Sequence, residues 1–338
     1  MIRTDQSLKA YNGFSLEATA RYFAAVDNSA SLRQVLASPI AQRETCLLLG
    51  GGTNVLFTRD FEGLVIHLDF RGKRVVGESS DSVWVQAQAG ENWHELVCWT
   101  LRHNLGGLEN LSLIPGRVGA APLQNIGAYG VELKRVFHEL EALEIATNQI
   151  RTFSLSACRF GYRDSVFKRE LKGRYIILSV TFRLSKAPHI LALSYGSIRD
   201  ELEAQGVVHP DIQAVSRAVI ALRRRKLPDP AVLGNCGSFF KNPLVSRQRF
   251  EGLKAAHSDM PSYPSGVGVL KLPAAWLIER AGWKGYRRGD AGVHREQALV
   301  LVNHGQASGL ALARLAHDIQ TDVLEKFGVQ LDSEVNLY

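Results

Sequence analysis

The order of apolar and polar positions along the chain predicts a mixed α and β protein. Residues 45–49 read TCLLL, an apolar run that stops at Gly50-Gly51-Gly52-Thr53-Asn54, after which Val55-Leu56-Phe57 resumes at once, giving strand, tight loop, strand. Residues 64–68 form a further apolar run, and in 83–89 the apolar Val83, Val85 and Ala87 take every second position, the period of a half-buried strand. Over 91–104 the period changes to that of a helix, with Trp93, Leu96, Val97, Thr100 and Leu101 on one side and Gly106-Gly107 as the stop. Two strands joined at Thr147-Asn148 are expected within 136–155, and another over 175–184. A helix over 211–225 gathers Ile212, Val215, Val219 and Leu222 on one face, and Leu227-Pro228-Asp229-Pro230 then breaks the chain at a domain boundary. Beyond it lies an α+β stretch with helices over 274–281 and 308–327. The longer helix carries Leu312, Leu315, Ile319, Val323 and Phe327 as a core stripe and ends at Gly328, which suits a left-handed cap.

A chain of 338 residues exceeds what one core organises, so two or three domains are expected. The net charge of +7 fits a nucleic acid, a membrane surface or small polyanions. No Lys/Arg tract is interleaved with aromatic residues as a base-stacking platform requires, which argues against nucleic acid. The longest basic run, Arg223-Arg224-Arg225-Lys226, closes a helix, where cations offset the helix dipole or bind phosphate. Cys46, Cys98, Cys158 and Cys236 never fall at zinc-site or redox-pair spacing, so buried free thiols, no metal and a reducing compartment are expected. Residues 1–11 are polar and no segment approaches the roughly 20 apolar residues that span a bilayer, so no membrane partner is expected and the cytoplasm is the expected location.

Two segments carry candidate chemistry. Three consecutive glycines after a strand free the backbone to take positive φ and to converge N–H groups on an oxyanion, although triple glycine in a turn is more often a mobile loop. No Gly-Lys-Ser/Thr follows, and strand rather than helix comes next, so neither the P-loop nor the dinucleotide fingerprint applies. The second segment, Ile114-Pro115-Gly116-Arg117-Val118-Gly119-Ala120-Ala121-Pro122-Leu123-Gln124-Asn125-Ile126-Gly127-Ala128-Tyr129-Gly130, has little side-chain bulk and few polar groups. A flat ligand could lie against it, or it could be a buried crossing loop.

Together, GGGTNVL and PGRVGAAPLQNIGAYG resemble the UDP-N-acetylenolpyruvoylglucosamine reductase family, and the likeness runs from about Ser7 to Glu334. The resemblance implies an α+β fold with a two-part FAD-binding module of the vanillyl-alcohol-oxidase type and a C-terminal α+β substrate-binding domain. The implied divisions are 1–71 and 72–227 for the two FAD subdomains, with 329–338 returning to the first, and 228–328 for substrate. It implies FAD contacts from Gly50, Gly51, Gly52, Thr53, Asn54, Val55 and Leu56, and from Ile114, Pro115, Gly116, Val118, Gly119, Ala120, Gln124, Asn125, Ile126, Gly127, Ala128 and Tyr129. Neither loop contains His or Cys, so noncovalent FAD is expected.

Three further segments match the family: CRFGYRDS, NCGSFFKNP and LDSEV. They imply catalytic roles for Arg163, Ser238 and Glu334, each of which, taken alone, could equally be a salt-bridged arginine, a turn or cap serine, and a tail charge. The implied reaction reduces UDP-N-acetylglucosamine enolpyruvate with NADPH through FAD, a hydride passing from N5 to C3 and a proton from Ser238 to C2. Tyr195, Lys226, Asn242, Tyr263 and Gln297 match substrate-binding positions, Tyr195 on a loop that closes over the diphosphate in the longer, type I form. The partners expected are small molecules, and the chain is expected to be a monomer. Two departures stand out: Arg117 replaces a smaller residue inside the flavin loop, and four residues follow Glu334, so a short terminal strand is expected.

Overall fold

A computed structural model describes all residues, Met1–Tyr338. The chain forms two compact units, the first of Met1–Gln6, Ala20–Gly51 and Glu62–Arg225, the second of Ser7–Thr19, Gly52–Phe61 and Lys226–Tyr338.

In the first unit a four-stranded sheet has the order Arg3–Ser7, Thr19–Val26, Phe61–Leu68, Cys46–Leu49. Its last pair is parallel, with Cys46 opposite Leu64 and Leu49 opposite His67. Helix Ser29–Leu36 packs Leu32 and Val35 onto this sheet against Ala24, Val26, Leu64 and Ile66. A second, antiparallel sheet runs Gln149–Ser154, Phe137–Glu144, Tyr175–Ser185, Ser82–Gln88, Lys73–Glu78. Its central strand, Tyr175–Ser185, serves two cores. Ile176 and Leu178 join the first sheet's core, whereas Val180, Phe182 and Leu184 pack with Trp93, Leu96 and Val97 of helix Trp93–Arg102. Residues of equal parity would share one face; the irregularity opposite Glu141 and Ala142 inserts one residue between Ile177 and Ser179 and exchanges the faces. Helices Gly196–Ala204 and Ile212–Lys226 close the unit, with Ile198 and Leu202 against Val215, Ala218, Val219 and Leu222.

The second unit holds an antiparallel sheet in the order Gly234–Ser238, Val300–Asn303, Ala291–Val293, Arg287–Arg288, and a smaller one of Leu244–Ser246, Val269–Lys271 and Tyr263–Pro264. Helix Gly309–Phe327 buries Leu312, Leu315, Ile319, Val323 and Phe327. Ser308 caps it by accepting from Ala311 N, and Gly328 ends it in the left-handed region at φ 60°. Two early segments belong to this unit: Asn235 N donates to Gly13 O at 2.7 Å, Asn303 Nδ2 donates to Phe14 O at 2.9 Å, and Asn336–Leu337 runs parallel to Val55–Leu56.

No helix is long and apolar enough to cross a membrane, and no group of three or more His, Cys, Asp or Glu could hold a metal ion. The expectation of four buried thiols holds for Cys158 and Cys236 only. Cys46 is exposed, because it opens an edge strand and faces outward, and Cys98 is half-buried.

Candidate active site

The glycine-rich loop leaves strand Cys46–Leu49 and is shaped by close backbone approach. Gly52 takes φ 63°, and a Cβ there would fall 1.8 Å from the Tyr11 carbonyl oxygen, so only glycine fits. Its own carbonyl accepts from Gly13 N at 3.0 Å. Val55 and Leu56 are buried beneath the loop in the parallel ladder with the terminal strand. Asn54 Nδ2 donates to the Glu334 carbonyl oxygen at 3.1 Å, and thereby ties the loop to the last acidic residue of the chain.

The second loop is fixed along its length. Trp93 N donates to Gly116 O at 3.0 Å, Val118 N to Glu91 O at 2.9 Å, Gly119 N to Ala89 O at 2.9 Å, and Leu113 N to His94 Nδ1 at 3.0 Å. A Cβ on Gly119 would meet the Ala89 Cβ at 2.6 Å. Val118, Ala121, Pro122 and Asn125 are buried, Ala120 is exposed, and Gln124, Ile126, Gly127 and Ala128 keep partial exposure. Asn125 is wholly occupied inside the protein: Nδ2 donates to Glu132 Oε2 and Gly161 O, each at 3.0 Å, and Oδ1 accepts from Lys134 N. These bonds hold the turn, in which Asn125 takes φ 44°. The outward face is therefore a strip of small side chains and peptide groups, which fits a flat isoalloxazine. Arg117 packs beside the glycine-rich loop, its Cβ and Cγ each 3.5 Å from where a Cβ on Gly50 would stand. Its Nη1 donates to Gly90 O at 3.0 Å and its Nη2 lies 3.7 Å from Asp69, so the bulkier residue is held by internal partners.

Arg163 is anchored to the same strip. It takes φ 54°, and its Nη2 donates to Gly127 O at 2.8 Å, with its own neighbour Tyr162 facing the guanidinium at 5.6 Å. Ser165 Oγ donates to Leu123 O at 2.7 Å and Asn110 Nδ2 to Tyr129 O at 3.1 Å, so the loop's position relative to Arg163 is fixed from three sides. Tyr129 meets Tyr195 edge to face at 5.4 Å, and Tyr195 stands just before helix Gly196–Ala204. Burial pushes the Tyr129 phenol upward, an effect opposed by the nearby Arg223. Neither Asn110 nor His94 announces itself in the sequence, since each acts through one hydrogen bond to loop backbone.

The second unit carries the other predicted residues. Ser238 ends strand Gly234–Ser238 opposite Val300, past an irregularity in which Gly237 takes φ 68°. Phe239 and Phe240, each 1% exposed and 5.2 Å apart, lock the chain immediately after it. Glu334 N donates to Phe239 O at 2.8 Å and Lys241 N to Asp332 O at 2.9 Å, so the segment that carries Glu334 runs beside the one that carries Ser238. Terminal residues hold it there: Tyr338 N donates to Leu56 O at 2.9 Å, and the Tyr338 carbonyl accepts from Thr58 N at 2.7 Å. Gln297 turns the hairpin leading into Val300, accepting at Oε1 from Leu299 N. Asn242 Oδ1 accepts from Ala274 N at 2.9 Å, and Tyr263 is exposed on the small sheet, where Leu244 and Tyr263 both stand opposite Lys271. Lys226 is exposed at the end of helix Ile212–Lys226.

Comparison with known proteins agrees with this distribution of parts. An FAD binding domain profile matches residues 20–154, and the profile of the UDP-N-acetylenolpyruvoylglucosamine reductase C-terminal domain matches residues 229–338. The UDP-N-acetylenolpyruvoylglucosamine reductase of Pseudomonas putida is 52% identical over 332 residues, spanning 98% of this chain and 97% of that protein. That of Flavobacterium johnsoniae is 48% identical over 336 residues, 99% of both chains. The crystal structure of the reductase from Thermus caldophilus superposes with a TM-score of 0.69 at 22% identity, covering both chains fully, and shares the fold. An α+β chain with an FAD-binding module and these relatives along its whole length belongs to the UDP-N-acetylenolpyruvoylglucosamine reductase family.

Proposed function

We propose that this flavoprotein reduces UDP-N-acetylglucosamine enolpyruvate to UDP-N-acetylmuramate at the expense of NADPH, a step of peptidoglycan synthesis. Residues 1–71 and 72–227 bind noncovalent FAD, and 228–328 bind the nucleotide sugar. The observation that carries the reading is the Arg163 guanidinium bonded to Gly127 O at 2.8 Å, a fixed cation at the strip that fits the flavin.

FAD held along residues 50–56 and 114–129 would supply the hydride chemistry that links NADPH to C3 of the enolpyruvyl group. Electron density released from the C2–C3 double bond moves onto C2 and the carboxylate. Arg163 stabilises that charge without reorganising, because its side chain is already anchored. Glu334 hydrogen-bonds the same carboxylate region. Ser238 gives its Oγ proton to C2 and recovers one from solvent; a hydroxyl is a weak acid, but a carbanion is a strong base and the transfer runs downhill. Tyr195 closes over the UDP diphosphate, and Lys226, Asn242, Tyr263 and Gln297 hold the nucleotide or its diphosphate. The protein acts as a cytoplasmic monomer on small molecules alone.

The test is to purify the protein, record its flavin spectrum and follow NADPH absorbance as UDP-N-acetylglucosamine enolpyruvate is added. The reading expects NADPH oxidation that depends on the enolpyruvyl compound. A yellow protein that oxidises NADPH equally well without it would contradict the assignment.

A further inference from the structure

The segment that carries Ser238 contains a buried amide that takes no part in the hydride or proton step. Strand Gly234–Ser238 sets Asn235 opposite Val302 and Ser238 opposite Val300, so Cys236 and Gly237 stand where the facing strand has Leu301 alone. Three steps along a regular strand would leave Asn235 and Ser238 on opposite faces; the extra residue of this bulge cancels the reversal and re-aims Ser238. Gly237 takes φ 68° in the bulge, and its N donates to Asn235 Oδ1 at 2.9 Å. Asn235 is 2% exposed, and both hydrogens of its Nδ2 are used, donating to Leu233 O at 2.8 Å and to Pro228 O at 3.2 Å. Those two bonds fix which end of the amide meets Gly237. Asn235 N in turn donates to Gly13 O at 2.7 Å, and a Cβ on Gly13 would fall 2.5 Å from Asn235 O, so the backbone beneath the amide is closely held. Beyond Ser238 the ladder resumes, with Phe239 N donating to Leu299 O at 2.7 Å.

A bulge interrupts the ladder, and a side chain that takes up a backbone N–H there pins it in place. We propose that Asn235 is a positioning residue for Ser238: its Oδ1 holds the bulge at Cys236 and Gly237, and so sets the direction from which the Ser238 hydroxyl meets the substrate carbon. Proton transfer depends steeply on that direction, since a misplacement of about 1 Å costs about 10²-fold in rate. The residue type follows from the geometry. An acceptor is needed toward Gly237 N and two donors toward Pro228 O and Leu233 O. An ionised Asp has no donor and would set its charge against two carbonyl oxygens, and Gln is one methylene too long for the same turn. The inference rests on the reading of Ser238 as the proton donor.

The experiment is a double-mutant cycle in the holoenzyme, with flavin reduction by NADPH and reoxidation by UDP-N-acetylglucosamine enolpyruvate followed separately by rapid mixing. Asn235→Ala should bleach at the parent's rate and reoxidise about 10- to 100-fold more slowly. Pro228, Leu233 and Gly237 keep partial exposure, so water reaches the groups that this change frees and the variant should fold. Asn235→Ser keeps an acceptor for the N–H two residues on while losing the amide donors, and should reoxidise faster than Asn235→Ala; equal rates in the two would overturn the inference. In the Ser238→Ala background, Asn235→Ala should slow reoxidation no further, because no hydroxyl is left to place. With Ser238→Ala itself slow, effects that multiply in the double variant, or an Asn235→Ala that reoxidises at the parent's rate, would overturn the inference alone. A Ser238→Ala that reoxidises at the parent's rate would overturn the proton-donor reading, and the inference with it. Should Asn235→Ala hold no flavin, Asn235→Ser decides: reoxidation faster than that of Ser238→Ala supports the inference, and a loss as large as that of Ser238→Ala overturns it.

Discussion

Asn54 Nδ2 donates to the carbonyl oxygen of Glu334 at 3.1 Å, a hydrogen bond between residues 280 positions apart. The end of the glycine-rich loop therefore holds the backbone of the carboxylate proposed to act beside Ser238. Asn54→Leu removes the donor at a stability cost of about 1 kcal/mol. Loss of Glu334's placement should lower turnover per bound flavin by about 10- to 100-fold. Flavin content and steady-state rate measured on the same sample check this; a fall in flavin content with unchanged turnover per flavin would show that the bond serves the cofactor only.

Gly52 cannot be replaced without moving the backbone around it. Gly52→Ala sets a Cβ 1.8 Å from Tyr11 O and forces a non-glycine residue to φ 63°. The expected cost is about 3 kcal/mol or more, read as a lower denaturation midpoint.

Glu91 is 5% exposed and accepts from Gly72 N at 2.7 Å and Lys73 Nζ at 2.8 Å. Burial raises its carboxyl, but the bonds from Lys73 and Gly72 outweigh that and leave it below the ordinary carboxylate range. A depressed folded-state value contributes stability above the unfolded value, about 4.3, and the contribution is lost as the pH falls through the folded one. Glu91→Gln should therefore cost about 1–3 kcal/mol at neutral pH, with the difference from the parent closing below about pH 4. Urea midpoints across that range give the comparison.

Burial pushes the Cys158 and Cys236 thiols up to about 12, so neither should react with a thiol reagent until the protein unfolds. Cys46 is exposed and should be labelled in the native state. Burial, then Glu44, raises its thiol too, so its rate should climb with pH above the usual thiol range. Cys46→Ser should remove this phase.

The sequence made the longer elements legible because their periods are long enough to read. The stripe of Leu312, Leu315, Ile319, Val323 and Phe327 gives helix Gly309–Phe327, with Gly328 ending it, and Trp93, Leu96 and Val97 give helix Trp93–Arg102. The alternation of Val83, Val85 and Ala87 gives strand Ser82–Gln88. Strands such as Ala291–Val293 and Val300–Asn303 escape because they are short and buried on both faces, leaving no alternation. The assignment of segments 7–19 and 52–61 to the second unit rests on pairings such as Gly13 with Asn235, which no local pattern encodes. For the site, motif context marks Arg163, Ser238 and Glu334, but the struts do not show: nothing in the sequence tells that the Asn125 amide bonds to Glu132, Gly161 and Lys134.

The central claim, that Ser238 protonates a substrate carbon after hydride addition, separates the two half-reactions. Rapid mixing of Ser238→Ala with NADPH should bleach the flavin at the parent's rate. Reoxidation of the reduced flavin by UDP-N-acetylglucosamine enolpyruvate should then slow by about 10²- to 10⁴-fold. Reoxidation at the parent's rate would contradict the account.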